Sequence, residues 1–320
     1  MNAPTTEVKS ASQRILTVED LRVEIPVPTG MLHPVQGLSF HVDRGETVCI
    51  VGESGCGKST TGRAAIRLLE PSGGQVFIDG QDILLPNRRE VKELRSKMQM
   101  VFQDPYSSLN PRLCVADLIA EPLEVKKIGS SADRAKRVRE LSDIVGLSKS
   151  LENAYPHELD GGRRQRVGIA RALALNPEFI VLDEPVSALD VCIQAQVLNL
   201  LDTLQKEMGL TYLFISHDLS VVHHVSDRIA VMHLGRIVEM ADYKTIFANP
   251  LHAYTKALLS AITVPNPNLE HNRIILEGDV PSPINPPEGC RFAGRCYYEK
   301  IDACTCEAPR LAEVASGHFV

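Results

Sequence analysis

No segment of the 320 residues approaches the roughly 18 consecutive apolar residues that a membrane-spanning helix needs, so an integral membrane helix is not expected. The opening stretch "MNAPTTEVKSASQR" has no apolar core of the signal-peptide kind. The expectation is a chain that stays in the cytosol and meets a membrane only through partners. Basic residues are in slight deficit, 34 Lys+Arg against 40 Asp+Glu for a net charge of −6, which argues against a general nucleic-acid partner. No internal repeat and no long coiled-coil insertion is present. No Phe, Tyr or Trp precedes Phe40. The eight cysteines contain no CxxC pair, the spacing of common zinc modules, and a reducing cytosol disfavours structural disulfides.

What is present is ordinary for a globular protein with an ample core: 44% apolar and 23% charged residues. "ILTVEDLRVEI" and "GLSFHV" read as edge strands around a Pro/Gly-rich loop, "PVPTGMLHP". "ETVCIVG" is a short apolar run with β-branched residues, a buried strand. "TTGRAAIRLL" has helical spacing, "GQVFIDGQDI" reads strand–turn–strand, "REVKELRSKM" helix, and "MQMVFQD" strand. Residues 112–158 hold only helical patterns and loops, among them "SADRAKRVRELSDIVGL". Strand–helix alternation then resumes with "EFIVLDE", "IQAQVLNLLDTLQKEM" and "TYLFISH". Such alternation predicts an α/β fold with a mainly parallel core sheet and helices on both faces. The expected division is an α/β core over 1–103 and 166–261 that includes an antiparallel N-terminal β part. An inserted helical subdomain fills 104–165, and a Pro-rich linker with a Cys-rich extension fills 262–320. Cys49, Cys56, Cys114 and Cys192, scattered through the body, read as small apolar fillers.

Two motifs carry chemistry. "GESGCGKS", followed by Thr60, fits the glycine–four residues–Gly-Lys-Ser pattern between a strand and a helix. Gly52, Gly55 and Gly57 let the backbone turn so that N–H groups of the Glu53, Ser54, Cys56 and neighbouring peptides converge on phosphate oxygens. Lys58 supplies a point charge to the β- and γ-phosphates, and Ser59 a hydroxyl for Mg²⁺. "FIVLDEP" is an apolar strand ending in Asp183 and Glu184. Beside a P-loop, the first acid can hold Mg²⁺ through water and the second can polarise an attacking water; alone, such a pair is often a solvated turn.

The stretch "HELDGGRRQR" raises a separate question, because its Gly-Gly turn opens a basic helix that suits a phosphate, yet Asp160 precedes the glycines. Asp caps a helix start well. A carboxylate ~4 Å from a phosphate charge is nevertheless repelled by about 4 kcal/mol per unit charge at an effective dielectric near 20. Arg163, one turn on, can offset part of this by pairing with Asp160.

In order, "GESGCGKST", "VFQDP", the Gly-Gly motif before "RRQRVGIARAL", "FIVLDEP", "SALD" and "FISHD" resemble an ABC-transporter nucleotide-binding subunit over residues 15–260. The resemblance implies a P-loop ATPase using ATP and Mg²⁺ in a head-to-tail dimer, each ATP lying between one P-loop and the partner's signature motif. It implies that Gln103 is the Q-loop residue contacting Mg²⁺, Glu184 the catalytic base, Asp190 a D-loop residue and His217 the switch histidine, for which helix capping is the local alternative. The signature motif of the family is Leu-Ser-Gly-Gly-Gln, and this chain has Leu159, Asp160, Gly161, Gly162 and Arg163. The altered motif serves the partner's ATP, so the expected assembly is an asymmetric heterodimer. The family's adenine-stacking aromatic is missing, and His33 is a candidate substitute.

"DPYSSLNPR", "HAYTKALLSAI" and "PSPINPPEGCRFAGRC" resemble the oligopeptide/dipeptide/nickel uptake subfamily. That resemblance implies a second ATPase chain, two permeases and an extracytoplasmic binding protein as partners, with the chain peripheral on the cytoplasmic membrane face. From spacing alone, Cys290, Cys296, Cys304 and Cys306 can hold zinc, an iron–sulfur cluster, or remain free thiols. The subfamily associates such a set with a [4Fe–4S] cluster whose fourth cysteine follows a "GHxV" segment, and here the sequence closes on "GHFV". Rival functions are a soluble ABC ATPase outside transport and a nucleotide-binding regulatory subunit that does not hydrolyse.

Overall fold

The strand run TVCIV is buried at every position, which requires packed layers on both of its faces. The computed structural model, which describes residues 13–84, 88–262, 273–279, 281–299, 302, 304 and 308–320, supplies them. Strands β1 (Arg14–Val27) and β2 (Gly30–Asp43) form a long hairpin, and β3 (Thr47–Val51) leads into helix α1 (Lys58–Ala65). β4 (Gly73–Ile78) and β5 (Gln81–Asp82) follow, then α2 (Arg88–Lys97) and β6 (Met98–Val101). A helical stretch comprises α3 (Pro105–Ser108), α4 (Val115–Val125), α5 (Ser131–Ile144) and α6 (Gly161–Leu173). Alternation returns with β7 (Phe179–Asp183), α7 (Val191–Met208), β8 (Thr211–Ser216), α8 (Leu219–Val225) and β9 (Arg228–His233). The chain then adds β10 (Arg236–Asp242), α9 (Tyr243–Ala248), α10 (Ala253–Ser260), β11 (Glu313–Ala315) and β12 (His318–Phe319).

The strands form two sheets, ordered β2-β1-β4-β5 and β11-β12-β10-β9-β3-β8-β7-β6. In the larger sheet β9, β3, β8, β7 and β6 run parallel, and β10 turns back antiparallel. Alternate residues of its strands feed two cores. Cys49, Val51, Ile180, Leu182, Tyr212 and Phe214 pack with the helical stretch. Val48, Ile50, Val181, Leu213 and Ile215 pack with the N-terminal sheet and α1. Each fully buried aliphatic side chain contributes roughly 1.5–3 kcal/mol.

Three local expectations are corrected. The "PVPTGMLHP" stretch is no loop: strand pairing continues through Pro26↔Met31 and Val27↔Gly30 to a two-residue turn at Pro28 and Thr29. Its prolines are tolerated because β2 is an edge strand and β1 pairs with β4 only from Leu16 to Arg22, so no ladder needs those missing N–H groups. Secondly, Cys49 and Cys56 are buried fillers, but Cys192 is exposed at the start of α7, and half-buried Cys114 directs its Sγ to Asp117 Oδ2 at 3.1 Å. Thirdly, the tail contributes strands, since β12 pairs with β10 at Met240↔Phe319.

A buried hydrogen-bonded pair anchors that last strand. Glu239 is fully buried, accepts the Leu251 and His252 N–H groups at 2.8 and 3.0 Å, and lies 2.8 Å from His318 Nε2. Removing one partner of a buried hydrogen bond leaves the other with an uncompensated desolvation cost. His318→Ala is expected to lower stability by about 1–3 kcal/mol, seen as a lower urea midpoint at unchanged slope. An unchanged midpoint would mean that the pair does not hold the tail.

Candidate functional site

The P-loop follows from where β3 stops. The chain leaves the sheet at Gly52 and re-enters regular structure at Lys58, with Gly57 as the residue before the helix at φ 107°. A Cβ on Gly57 would lie 1.9 Å from the Pro34 carbonyl oxygen, so only glycine fits there. No side chain caps α1, which leaves its first N–H groups to an anion. Ser54 and Gly55 are exposed at the crest of the loop, whereas Cys56 is buried beneath it. Lys58 is buried and folds back along its own loop, its Nζ donating to the Gly52 and Glu53 carbonyls at 2.9 Å each.

Strand register brings the other residues to the same edge. Val51 lies opposite Ser216, and Asp183 opposite Ile215, so Gly52, Glu184 and His217 leave adjacent strands side by side. Ser59 Oγ donates to Asp183 Oδ1 at 2.6 Å. Asp183 is fully buried, and its Oδ2 has no hydrogen-bond partner; the Arg63 guanidinium stands 3.6 Å away. Burial pushes the Asp183 carboxyl above its usual range, against the Ser59 hydrogen bond and the Arg63 charge. An orphaned buried carboxylate oxygen next to a P-loop hydroxyl fits a small hard cation. Arg63 escaped the sequence reading, although it lies four residues after Ser59, one helical turn away.

Glu184 adopts φ 47°, the left-handed region that costs a non-glycine residue roughly 1–2 kcal/mol. Its N–H donates to the Ile215 carbonyl at 3.0 Å, and its own carbonyl accepts from Ser187 N–H and Oγ–H, which holds the bend. The carboxylate gathers two of the residues expected beside it. Gln103 Nε2 donates to Glu184 Oε2 at 2.9 Å, and His217 Nδ1 stands 3.1 Å from the same oxygen. His217 does not cap the following helix; Asp218 does, accepting from Ser220 N–H.

Asp160 lies elsewhere, at the start of α6, where Oδ1 accepts the Arg163 N–H at 2.8 Å and Oδ2 stands 3.4 Å from Arg163 Nε. Leu159 is buried before it. A Cβ on Gly162 would come within 2.4 Å of Ile193 Cγ2, so the helix start packs directly on α7, which Asp190 caps through the Ile193 N–H at 3.0 Å. His33 precedes Pro34, whose carbonyl packs against Gly57 of the P-loop. It sits 3.5 Å from Glu24 and lines a cavity with Gln36, Arg236 and residues 285–288. Cys290, Cys296 and Cys304 are half-buried free thiols, with Cys290 N–H donating to the Cys304 carbonyl at 2.8 Å. Cys306 lies outside the described residues, and among the described residues no three His, Cys, Asp or Glu side chains are arranged to hold a metal ion.

Known proteins resemble the chain over both its core and its extension. Residues 35–187 match the ABC transporter family, and residues 238–304 match the oligopeptide/dipeptide transporter C-terminal region. A putative peptide import ATP-binding protein of Brucella ovis is 50% identical over 95% of this chain and 96% of its own length. The oligopeptide transport ATP-binding protein AppF of Bacillus subtilis is 49% identical, with 96% of each chain covered. The dimeric ATP-binding cassette MJ0796, solved with ADP and Pi, superposes at a TM-score of 0.66 with 30% identity, covering 71% of this chain and 98% of that one. With the P-loop, buried aspartate and converging Gln–Glu–His group in place, the chain belongs to the ABC-transporter ATPases, in the branch that carries the oligopeptide/dipeptide transporter C-terminal region.

Proposed function

We propose that this chain hydrolyses ATP at its P-loop to drive import of peptides or related small solutes, such as nickel chelates, as a peripheral subunit on the cytoplasmic membrane face. The observation that carries the reading is the convergence of Gln103 and His217 on one oxygen of Glu184, beside the Ser59–Asp183 pair. Ser59, Asp183 and Gln103 would hold Mg²⁺, which neutralises developing phosphate charge when bound. The N-terminal amides of α1 and the Lys58 ammonium receive the β- and γ-phosphates of ATP. Glu184 orients the attacking water and accepts its proton, and His217 donates to the transferred phosphoryl group. The bend at Glu184 supports this assignment, because a backbone held in the left-handed region aims its carboxylate at the strand edge.

Permease docking is assigned to the stretch after Gln103. Tyr106 is 58% exposed, braced by the Arg164 guanidinium 5.0 Å over its ring, and Arg171 donates to the Ser108 carbonyl at 2.8 Å. That surface joins the Q-loop to α6, whose N-terminus serves the partner's ATP. Two permeases and an extracytoplasmic binding protein complete the importer in this reading.

The second ATPase is proposed to be a different chain. Asp160 caps α6 by accepting the Arg163 N–H, as a serine would, but it adds a negative charge at the helix end that the partner's γ-phosphate must approach. Its pair with Arg163 is more than half exposed on both sides and contributes only about 0–1 kcal/mol, so it does not neutralise the aspartate. One site is therefore competent, the one built on this chain's Lys58, Glu184 and His217. Crosslinking that finds only self-pairing in the assembled transporter would remove the heterodimer.

The tail reading is a [4Fe–4S] cluster on Cys290, Cys296, Cys304 and Cys306, with zinc as the alternative. Cys290 and Cys304 line a cavity of about 590 Å³ together with His233, His252, Arg236 and Arg291. Burial pushes Arg291 down to about 10 and Arg236 down as well, and both ring nitrogens of buried His233 lack partners. A buried and a half-buried arginine beside thiols suit an anionic occupant. The described ligand set stays incomplete, so the cluster is given no part in hydrolysis.

Three measurements test these assignments. In the assembly with partner ATPase and permeases, Glu184→Gln is expected to lower turnover on the order of 100-fold or more. Turnover at the wild-type rate would remove Glu184 from its role. Asp160→Ser is expected to keep or raise turnover; if it abolishes turnover, the aspartate is a working contact. Anaerobically purified chain is expected to contain iron and sulfide, lost in Cys290→Ser, and a folded chain containing neither would reject the cluster.

A further inference from the structure

Two motifs remain without a task in this mechanism: "HAYTKALLSAI", which forms α10, and "GCRFAGRC" in the extension. Both reach the same P-loop residue. Tyr254, fully buried in α10, accepts the Glu53 N–H on its hydroxyl at 2.9 Å. Arg295 donates from its guanidinium to Glu53 Oε2 at 2.9 Å, a pair 242 residues apart in the chain. The third group of the same residue, the Glu53 carbonyl, accepts from Lys58 Nζ at 2.9 Å. Every polar group of Glu53 is thus engaged, two by the C-terminal part of the chain and the carbonyl by both Lys58 and the Cys56 N–H at 3.3 Å.

The surroundings make this clasp stiff. Tyr254 packs with His233 and Phe292 at ring-centroid distances of 4.5 and 5.4 Å, and Phe292 is buried. The Arg295 N–H donates to the Phe292 carbonyl at 3.0 Å, which fixes where its side chain starts. Arg291 donates to the Leu234 carbonyl, and the next residue, Gly235, donates its N–H to the Cys56 carbonyl at 2.8 Å. The far limb of the P-loop is tied to the extension through that turn. The Arg295 and Glu53 side chains are only 11% and 29% exposed, so the pair is little screened.

We infer that Tyr254 and Arg295 are positioning residues for ATP: by fixing the peptides on either side of the Glu53 α-carbon they fix the Gly52 and Glu53 carbonyls that hold Lys58, and the extension thereby sets nucleotide affinity. Neither residue touches the reacting atoms. The consequence is specific, because a displaced Lys58 cradle weakens ground-state and transition-state contacts to phosphate together, which raises KM with little change in kcat. Coupling of this kind is reciprocal in binding, so ATP must tighten the extension by the factor with which the extension tightens ATP.

The inference rests on the P-loop being the ATP site, and one experiment separates the two. ATP turnover by the full transporter and binding of a fluorescent ATP analogue are measured for wild type, Lys58→Ala, Tyr254→Phe, Arg295→Ala, Arg295→Lys, Glu53→Gln and the double variant Glu53→Gln/Arg295→Ala. Arg295→Ala and Tyr254→Phe are expected to raise KM and the analogue's Kd roughly three- to tenfold with kcat within about twofold. Arg295→Lys should restore part of the loss, and the double variant should be no worse than either single change. Hydrogen exchange at residues 291–296 should slow on adding ATP in wild type and not in Glu53→Gln. Wild-type KM in Arg295→Ala and Tyr254→Phe, or kcat falling at constant KM as a shrinking active fraction produces, overturns the inference. If Arg295→Ala does not assemble, Tyr254→Phe, which removes one hydroxyl and keeps the ring, decides alone. Analogue binding that Lys58→Ala leaves unchanged would instead sink the reading of the P-loop.

Discussion

Parallel register is the constraint on which the site depends. Because β3, β7 and β8 run the same way and pair as Val51↔Ser216 and Asp183↔Ile215, three chain segments leave the sheet at one edge. A one-residue slip would turn every side chain of a strand to the opposite face. The register is pinned on both faces at once, since adjacent residues such as Ile50 and Val51 belong to different cores. Sliding a strand would therefore put no apolar side chain into water, but would mismatch both packed layers together. Precision at Ser59–Asp183 and Glu184–His217 is inherited from that double burial, with side-chain polar contacts adding the final orientation.

Against this rigid frame the polar chemistry is costly and local. Asp183 is a buried carboxylate with one oxygen unpartnered, and Glu184 holds a backbone conformation that disfavours its side chain. Both costs fall on consecutive residues at a strand end, where the sheet over-determines the backbone. A buried orphan oxygen and a strained neighbour are stable only when surrounding packing exceeds them. They are also what a cation and a water need: an acceptor not already satisfied, and a carboxylate aimed rather than free to rotate.

Much of this was legible because the motifs are local. The P-loop spacing, the two acids closing "FIVLDEP" and the histidine closing "TYLFISH" each announce a strand end, and parallel alternation implies that the ends align. The legible part stops where contacts are remote or conformations unusual. Nothing in "PVPTGMLHP" reveals that its prolines sit where no ladder needs an N–H. The tail strands are three and two residues long, too short for a periodic signal, and exist through pairing with β10 and the Glu239–His318 contact. Cys192 is exposed in the first turn of α7, where composition alone suggests a filler, because composition does not distinguish the two. The Arg295–Glu53 pair spans most of the chain, and only the fold could bring it together.

Asp160 shows where local stability and assembly diverge. Within the single chain the substitution is harmless: the carboxylate caps α6 as a serine would and gains a weak, exposed partner in Arg163. Folding alone thus gives no reason to avoid it. The cost arises when an anion must approach the same helix end, because the carboxylate charge opposes the phosphate. An exposed pair cannot cancel that repulsion, since water already screens most of its attraction. Two identical chains would carry the cost at both ATP sites, whereas two different chains confine it to one. On these energetics an aspartate at this position is compatible with efficient turnover when the other site, completed by a partner's signature helix, does the work. In the proposed heterodimer the asymmetry would follow from a single charge at a helix start that serves both the fold of its own chain and the nucleotide of its neighbour.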